Sequence, residues 1–141
     1  MLVSFVQTYG NDRKQLHDIY AKDTKLIEFK NLFDINIFSF NNCDNKTIEY
    51  FKKINPVNNS YYINFTYEYT MCIKELLKLL DQFKCTHFFF HQDDTFSYDN
   101  TDIDFNEFLR YVKSFKQDFM YNFYYNSTMF NNLKLLHSLS S

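Results

Sequence analysis

Two adjacent carboxylates, Asp93 and Asp94, follow a run of bulky residues, His87-Phe88-Phe89-Phe90, in the stretch THFFFHQDDTFS at 86–97. Paired carboxylate oxygens suit a hard divalent cation, Mg²⁺ or Mn²⁺, whose remaining positions go to water and phosphate oxygens. Such a cation neutralises a diphosphate leaving group. The structural alternative is that one Asp caps the following turn while the other is solvated. His91 is either a further ligand or phosphate donor, or a hydrogen-bonded residue at a strand end. Two other polar turns carry matching chemistry: Thr8-Tyr9-Gly10-Asn11-Asp12-Arg13 and Asn41-Asn42-Cys43-Asp44-Asn45. The Tyr9 ring can stack on a nucleobase, and Asn41 or Asn42 can hydrogen-bond a base edge or simply turn the chain. Arg13 can reach a phosphate or sit solvated at a helix start.

Other chemistries are excluded by what the chain lacks. A single glycine, Gly10, rules out the dinucleotide fingerprint and the Walker loop. No serine lies in a G-x-S-x-G elbow. His17, His87, His91 and His137 lack H-E-x-x-H spacing, and Cys43 has no identifiable partner base. Cys43, Cys72 and Cys85 are odd in number and irregular in spacing, which makes neither a metal clip nor a disulfide framework and fits a reducing compartment.

With 141 residues there is room for one domain with a real core, taken as 1–141. Net charge is −2 with both signs scattered, so no footprint for nucleic acid or anionic lipid is expected. No apolar run approaches membrane-spanning length, and MLVSFVQTYG does not read as a secretory signal; a cytoplasmic protein is expected. The aromatic fraction, 21% with 18 Phe and 12 Tyr, is explained more simply by A/T-rich codons than by an aromatic binding surface. With one glycine available, Asn must take the turn positions that need positive φ.

These residues need a frame. Apolar, β-rich runs predict strands at 2–9, 35–40, 61–65 and 86–90, the last buried on both faces. Helical spacing predicts a helix with Leu16, Ile19 and Tyr20 on one face, capped by Asn11 or Asp12. Residues 25–33 extend it or form a second short helix. A third helix at 46–54 buries Ile48, Phe51 and Ile54. A fourth, 67–84, is capped by Thr66 and shows a stripe of Tyr69, Cys72, Ile73, Leu76, Leu77, Leu80 and Phe83. A fifth is capped by Asp104 with Glu107 three residues on, and buries Phe105, Phe108, Leu109, Val112, Phe115 and Phe119. A fifth strand is expected at 119–125 and a weak helix at 129–139. Strict alternation of this kind predicts an α/β fold, mostly parallel, with helices on both faces and a ligand crevice beyond the carboxyl ends of the strands.

The order of elements and the three turns resemble the nucleotide-binding half of GT-A-type glycosyltransferases, especially family-2-like enzymes with a Rossmann-like sheet. Thr8-Tyr9-Gly10-Asn11-Asp12-Arg13 resembles their T-Y-x-R-type turn. Asn41 to Thr47 stands where they carry an acidic or Asn-containing turn before a helix, and Asp93-Asp94 resembles their D-x-D or D-D metal motif. The resemblance covers about residues 2–97 and implies that Thr8 and Tyr9 line a nucleobase pocket, with Asn41 or Asn42 reading the base where the family usually has Asp. It implies that Asp93 approaches the ribose or sugar and that Asp94 coordinates Mn²⁺ or Mg²⁺ bridging the donor diphosphate. A hexosyl group would pass from a nucleotide-diphosphate sugar, UDP-sugar favoured, to an acceptor hydroxyl. An acceptor-binding half with its catalytic base is not recognisable; Asp118 is the only later candidate, and a partner chain or homo-oligomer is one way to supply the rest. The alternative expectation is a small, non-catalytic α/β interaction module.

Overall fold

The computed structural model describes residues 1–65, 69–97 and 104–118. The chain divides into two compact units, Met1–Phe96 and Ser97–Ser141. The strand expected at 119–125, the tail helix at 129–139 and the cap at Thr66 lie outside the described residues.

The first unit is an α/β domain built on an all-parallel sheet. Its elements are β1 (Leu2–Tyr9), α1 (Lys14–Lys22), α2 (Thr24–Lys30), β2 (Ile35–Asn41), α3 (Asn45–Ile54), β3 (Ser60–Phe65), α4 (Tyr69–Gln82) and β4 (His87–Gln92). The sheet order is β3-β2-β1-β4. The apolar, β-branched and aromatic run LVSFVQTY takes the central position as β1, and residues 2–8 are all buried because helices cover both faces. Its register aligns Val3 with Ile35 on one side and with Phe88 on the other. The chain steps from β1 to β2 to β3 in one direction and then crosses to the far side of β1. That reversal puts a topological switch point between β1 and β4, where open α/β sheets form their crevice.

Each face has its own core. On one, Tyr20, Leu26, Ile48, Phe51 and Val57 pack against Val6, Phe38 and Phe40. On the other, Leu76 of α4 packs against Val3, Phe5, Ile35 and Ile37, with Ile73, Leu80 and Phe83 at the margin. Phe51 anchors the first core, its ring centroid 4.8–5.6 Å from those of His17, Tyr20, Phe38 and Phe40. Two polar side chains buried in the sheet pair with each other: Ser4 bonds Asn36, whose amide donates to the carbonyls of Lys30 and Asn58 at 3.0 and 2.9 Å.

Several details depart from expectation. Helix α1 turns His17 and Tyr20 inward and leaves Ile19 half exposed. Its N-cap is Arg13, whose guanidinium has no acceptor to offer the first-turn N–H groups, and Asp12 sits before it in the turn at φ +60°. Leu77 is 59% exposed, since it lies about 100° around the helix from Leu76 and outside the stripe. Strand β4 is not buried on both faces: among the described residues it forms a sheet edge, and Phe88 and Phe90 stay exposed while Phe89 and His91 turn inward. Asn42 and Asn59 do take positive φ, in the role expected of asparagine in a chain so poor in glycine.

In the second unit, α5 (Phe105–Lys113) starts as expected, with the Asp104 carboxylate accepting from the Glu107 N–H at 3.1 Å. Leu109 and Val112 are buried. No helix among the described residues is long and apolar enough to cross a membrane.

Candidate functional site

An open cleft of about 310 Å³ lies beyond the carboxyl ends of β1 and β4, lined by Gln7, Tyr9, Arg13, Gln92 and Asp93. This is the switch point of the sheet, and the volume is at the lower end of the ~300–1,000 Å³ range of small-molecule sites. Strands β1 and β4 pair Gln7 with Gln92, so the two amides sit side by side at the end of the sheet. The turn after β1 is set by Gly10 at φ +80°, whose N–H donates to the Asn41 carbonyl at 2.9 Å.

The charged centre of the cleft is an ion pair across 80 positions of sequence. Arg13 Nε and Nη2 donate to Asp93 Oδ2 and Oδ1 at 2.9 and 2.6 Å, a bidentate clamp. Behind it, His17 Nε2 stands 3.6 Å from Asp93 Oδ2 and is itself 1% exposed. Burial alone would push the Asp93 carboxyl up, but His17 and Arg13 outweigh it and hold the group below the usual carboxylate range. Arg13 is held above its ordinary value, chiefly by its hydrogen bond to Asp93. Of the five N–H donors of a guanidinium, two are used here. The others have no partner among the described residues.

The structure brings Tyr9, Arg13 and Asp93 together. Tyr9 is 58% exposed, so its ring is free to stack. Asp94 is exposed and adjacent, near enough for its charge to act on Arg13. Thr8 is buried and does not line the cleft. Asn41 is fully buried: its Oδ1 accepts from Gln7 Nε2 at 3.0 Å and its Nδ2 donates to Cys72 Sγ at 2.6 Å. Asn42 is exposed at φ +52° and serves the turn, its N–H donating to the Phe65 carbonyl at 3.2 Å. His91 is neither at the cleft nor open to a metal. Its Nδ1–H donates to the Gln92 carbonyl at 2.9 Å, which leaves Nε2 to accept from Lys30 Nζ at 2.8 Å. Burial drives Lys30 well below the ordinary lysine range, and burial plus the Lys30 charge drives His91 well below the ordinary histidine range.

The donor set does not fit a two-carboxylate cation site. Both Asp93 oxygens face the Arg13 guanidinium, which occupies the position a cation would take, and Asp94 alone supplies one exposed carboxylate. No group of three or more His, Cys, Asp or Glu side chains suited to a metal occurs among the described residues. Cys43 is half buried with its thiol against the Gly10 carbonyl at 3.0 Å, and burial pushes the thiol up, which lowers its thiolate fraction.

Gln7, His17 and Gln92 carry no role in the sequence reading. A lone amide inside the apolar run LVSFVQTY was a signal for Gln7. The i, i+4 spacing of Arg13 and His17, which puts both on one helix face, was a signal for His17. Comparison of the chain with protein-family models, with curated proteins and with solved structures gives no match.

Proposed function

We propose that the first unit binds a nucleotide-diphosphate sugar in the β1/β4 cleft, as the donor-binding part of a glycosyltransferase-like protein. The observation that carries this reading is the placement of Tyr9, Arg13 and Asp93 in one cleft at the topological switch point of a parallel sheet. Tyr9 offers a ring for the base, and the unused N–H donors of Arg13 offer contacts to the diphosphate. Asp93 fixes the guanidinium in place and is a weak base, since Arg13 takes both of its oxygens and, with His17, holds its carboxyl below the usual carboxylate range. Because Arg13 and Asp93 cancel and Asp94 adds a negative charge, the diphosphate enters with its own Mn²⁺ or Mg²⁺, to which Asp94 contributes at most one carboxylate. Transfer of a hexosyl group to an acceptor hydroxyl would need a base from elsewhere: among the described residues, no carboxylate but Asp93 lines the cleft.

Calorimetry with UDP-glucose and GDP-mannose, each with and without Mn²⁺, tests this. Saturable binding that Arg13→Ala weakens tenfold or more is expected. Binding to neither sugar nucleotide under either condition would sink the reading.

A second reading, a non-catalytic interaction module, draws on Phe88 and Phe90. These rings are 40% and 38% exposed on an edge strand, with centroids 6.4 Å apart. It predicts self-association in sedimentation that Phe88→Ser with Phe90→Ser abolishes and Arg13→Ala leaves unchanged.

A further inference from the structure

Among the described residues, the buried side-chain polar atoms without a hydrogen-bond partner are Gln7 Oε1 and the two ring nitrogens of His17. Native proteins leave few such atoms, and each calls for an explanation. These three do not scatter through the core. Gln7 lines the cleft, and His17 stands directly behind Asp93, which also lines it.

Gln7 is 4% exposed and its orientation is set from behind. Nε2 donates to Asn41 Oδ1 at 3.0 Å; that oxygen also takes the Ser39 hydroxyl at 3.5 Å, while Asn41 Nδ2 donates to Cys72 Sγ. With the amide nitrogen committed, the unpartnered atom is an acceptor, so the ligand group that completes it must be a hydrogen donor. Gln7 and Tyr9 are two residues apart on β1 and therefore point to the same side of the strand. Both line the cleft, so a base stacked on the Tyr9 ring would have Gln7 within the same pocket.

We propose that Gln7 is the specificity-determining residue of the cleft, its Oε1 accepting from an N–H or O–H of the ligand, and in the first place from the imide N–H of a uracil base. Asn41 then acts through Gln7, as the residue that holds the amide the right way round, and does not touch the base. The inference rests on the nucleotide reading of the same cleft.

The test compares UDP, N3-methyl-UDP and 2′-deoxy-UDP, in the presence of Mn²⁺, on the intact chain and on Gln7→Met. Loss of one neutral hydrogen bond corresponds to about a tenfold weakening. N3-methyl-UDP is expected to bind the wild type about tenfold more weakly than UDP, 2′-deoxy-UDP equally, and Gln7→Met is expected to bind all three alike. If 2′-deoxy-UDP is the weakened one, and the difference also vanishes in Gln7→Met, the donor is the ribose hydroxyl and Gln7 still reads it. If the wild type binds all three alike, or if N3-methylation weakens Gln7→Met as much as wild type, Gln7 reads nothing and the inference is overturned while the cleft remains a nucleotide site. If none of the three binds, the reading of the cleft fails together with it. The wild-type comparison stands even if Gln7→Met does not fold.

Discussion

Lys30 is fully buried at the end of α2, with its ammonium position 2.8 Å from His91 Nε2 and 4.6 Å above the Phe38 ring. Among the described residues no carboxylate pairs with it. Burial lowers its pKa well below 10.5, so the folded state gives up this proton at a lower pH than the unfolded chain does. The sign follows from proton counting: where the unfolded state binds more protons, stability rises with pH, by about 1.4 kcal/mol per pH unit for one group. The rise ends near 10.5, where the unfolded lysine also loses its proton. Other groups act outside a middle window. Buried His91, held well below 6.5, lowers stability as the pH falls under that value. The raised thiols of Cys43 and Cys85 and the raised Tyr20 phenol lower stability above about 9 and 10 respectively. Between pH 7 and 8.5 these other groups stay quiet, and the Lys30 slope there amounts to at most roughly 2 kcal/mol. Lys30→Met keeps the contacts with Phe38 and Tyr20, loses a hydrogen bond worth about 1 kcal/mol, and removes the cost of deprotonation. The variant is expected to be more stable than wild type at pH 7, by about 1–4 kcal/mol, with the gap shrinking toward 8.5 by up to about 1.4 kcal/mol per pH unit. Urea unfolding of both proteins at four pH values measures it. Parallel pH profiles would refute the reasoning, because Lys30 would then carry its proton in the fold.

Three further outcomes follow from the same packing. Asp93 has a depressed pKa, so its contribution is present above the ordinary value of 3.8 and is lost as the pH falls through the lower, folded value. Asp93→Asn, discounted because Arg13 is 29% exposed, should cost about 1–2 kcal/mol at pH 7 and remove part of the acid-side decline seen in urea unfolding below pH 4. Phe51→Ala opens a hole among four aromatic rings and should cost about 3–5 kcal/mol by thermal or urea unfolding; a loss under 1 kcal/mol would contradict the core described above. Gly10→Ala meets no atom within 4 Å of the new Cβ, so only the backbone at φ +80° resists, and a loss of about 1–2 kcal/mol is expected.

What the sequence showed and what it hid divide along physical lines. All four parallel strands of the first unit were legible, because β-branched and aromatic runs bounded by polar turns leave little choice. The burial of β4 was not, since HFFF reads the same at a sheet centre and at an edge, and strand order decides which. The converging turns of Tyr9, Arg13 and Asp93 were legible from topology. Their bond was not: a carboxylate at a strand end looks equally fit for a cation and for an arginine 80 positions away, and only the relative placement of α1 and β4 distinguishes them. Asn41 and Gln7 are both amides at strand ends, and the burial that puts one behind the other is a property of the packed sheet. Lys30 was invisible, because a lysine on a short helix gives no hint that the chain will close over it.

The central claim is that the cleft between β1 and β4 is a nucleotide-binding site. Its most direct test is a ¹H–¹⁵N NMR titration of the intact chain with UDP in the presence of Mg²⁺, which spares the signals that Mn²⁺ would broaden. Saturable shifts are expected, centred on Gln7, Tyr9, Arg13, Gln92 and Asp93 and including the side-chain signals of Gln7 and Arg13. Saturable shifts centred elsewhere, such as on β3, or none at all, would contradict it.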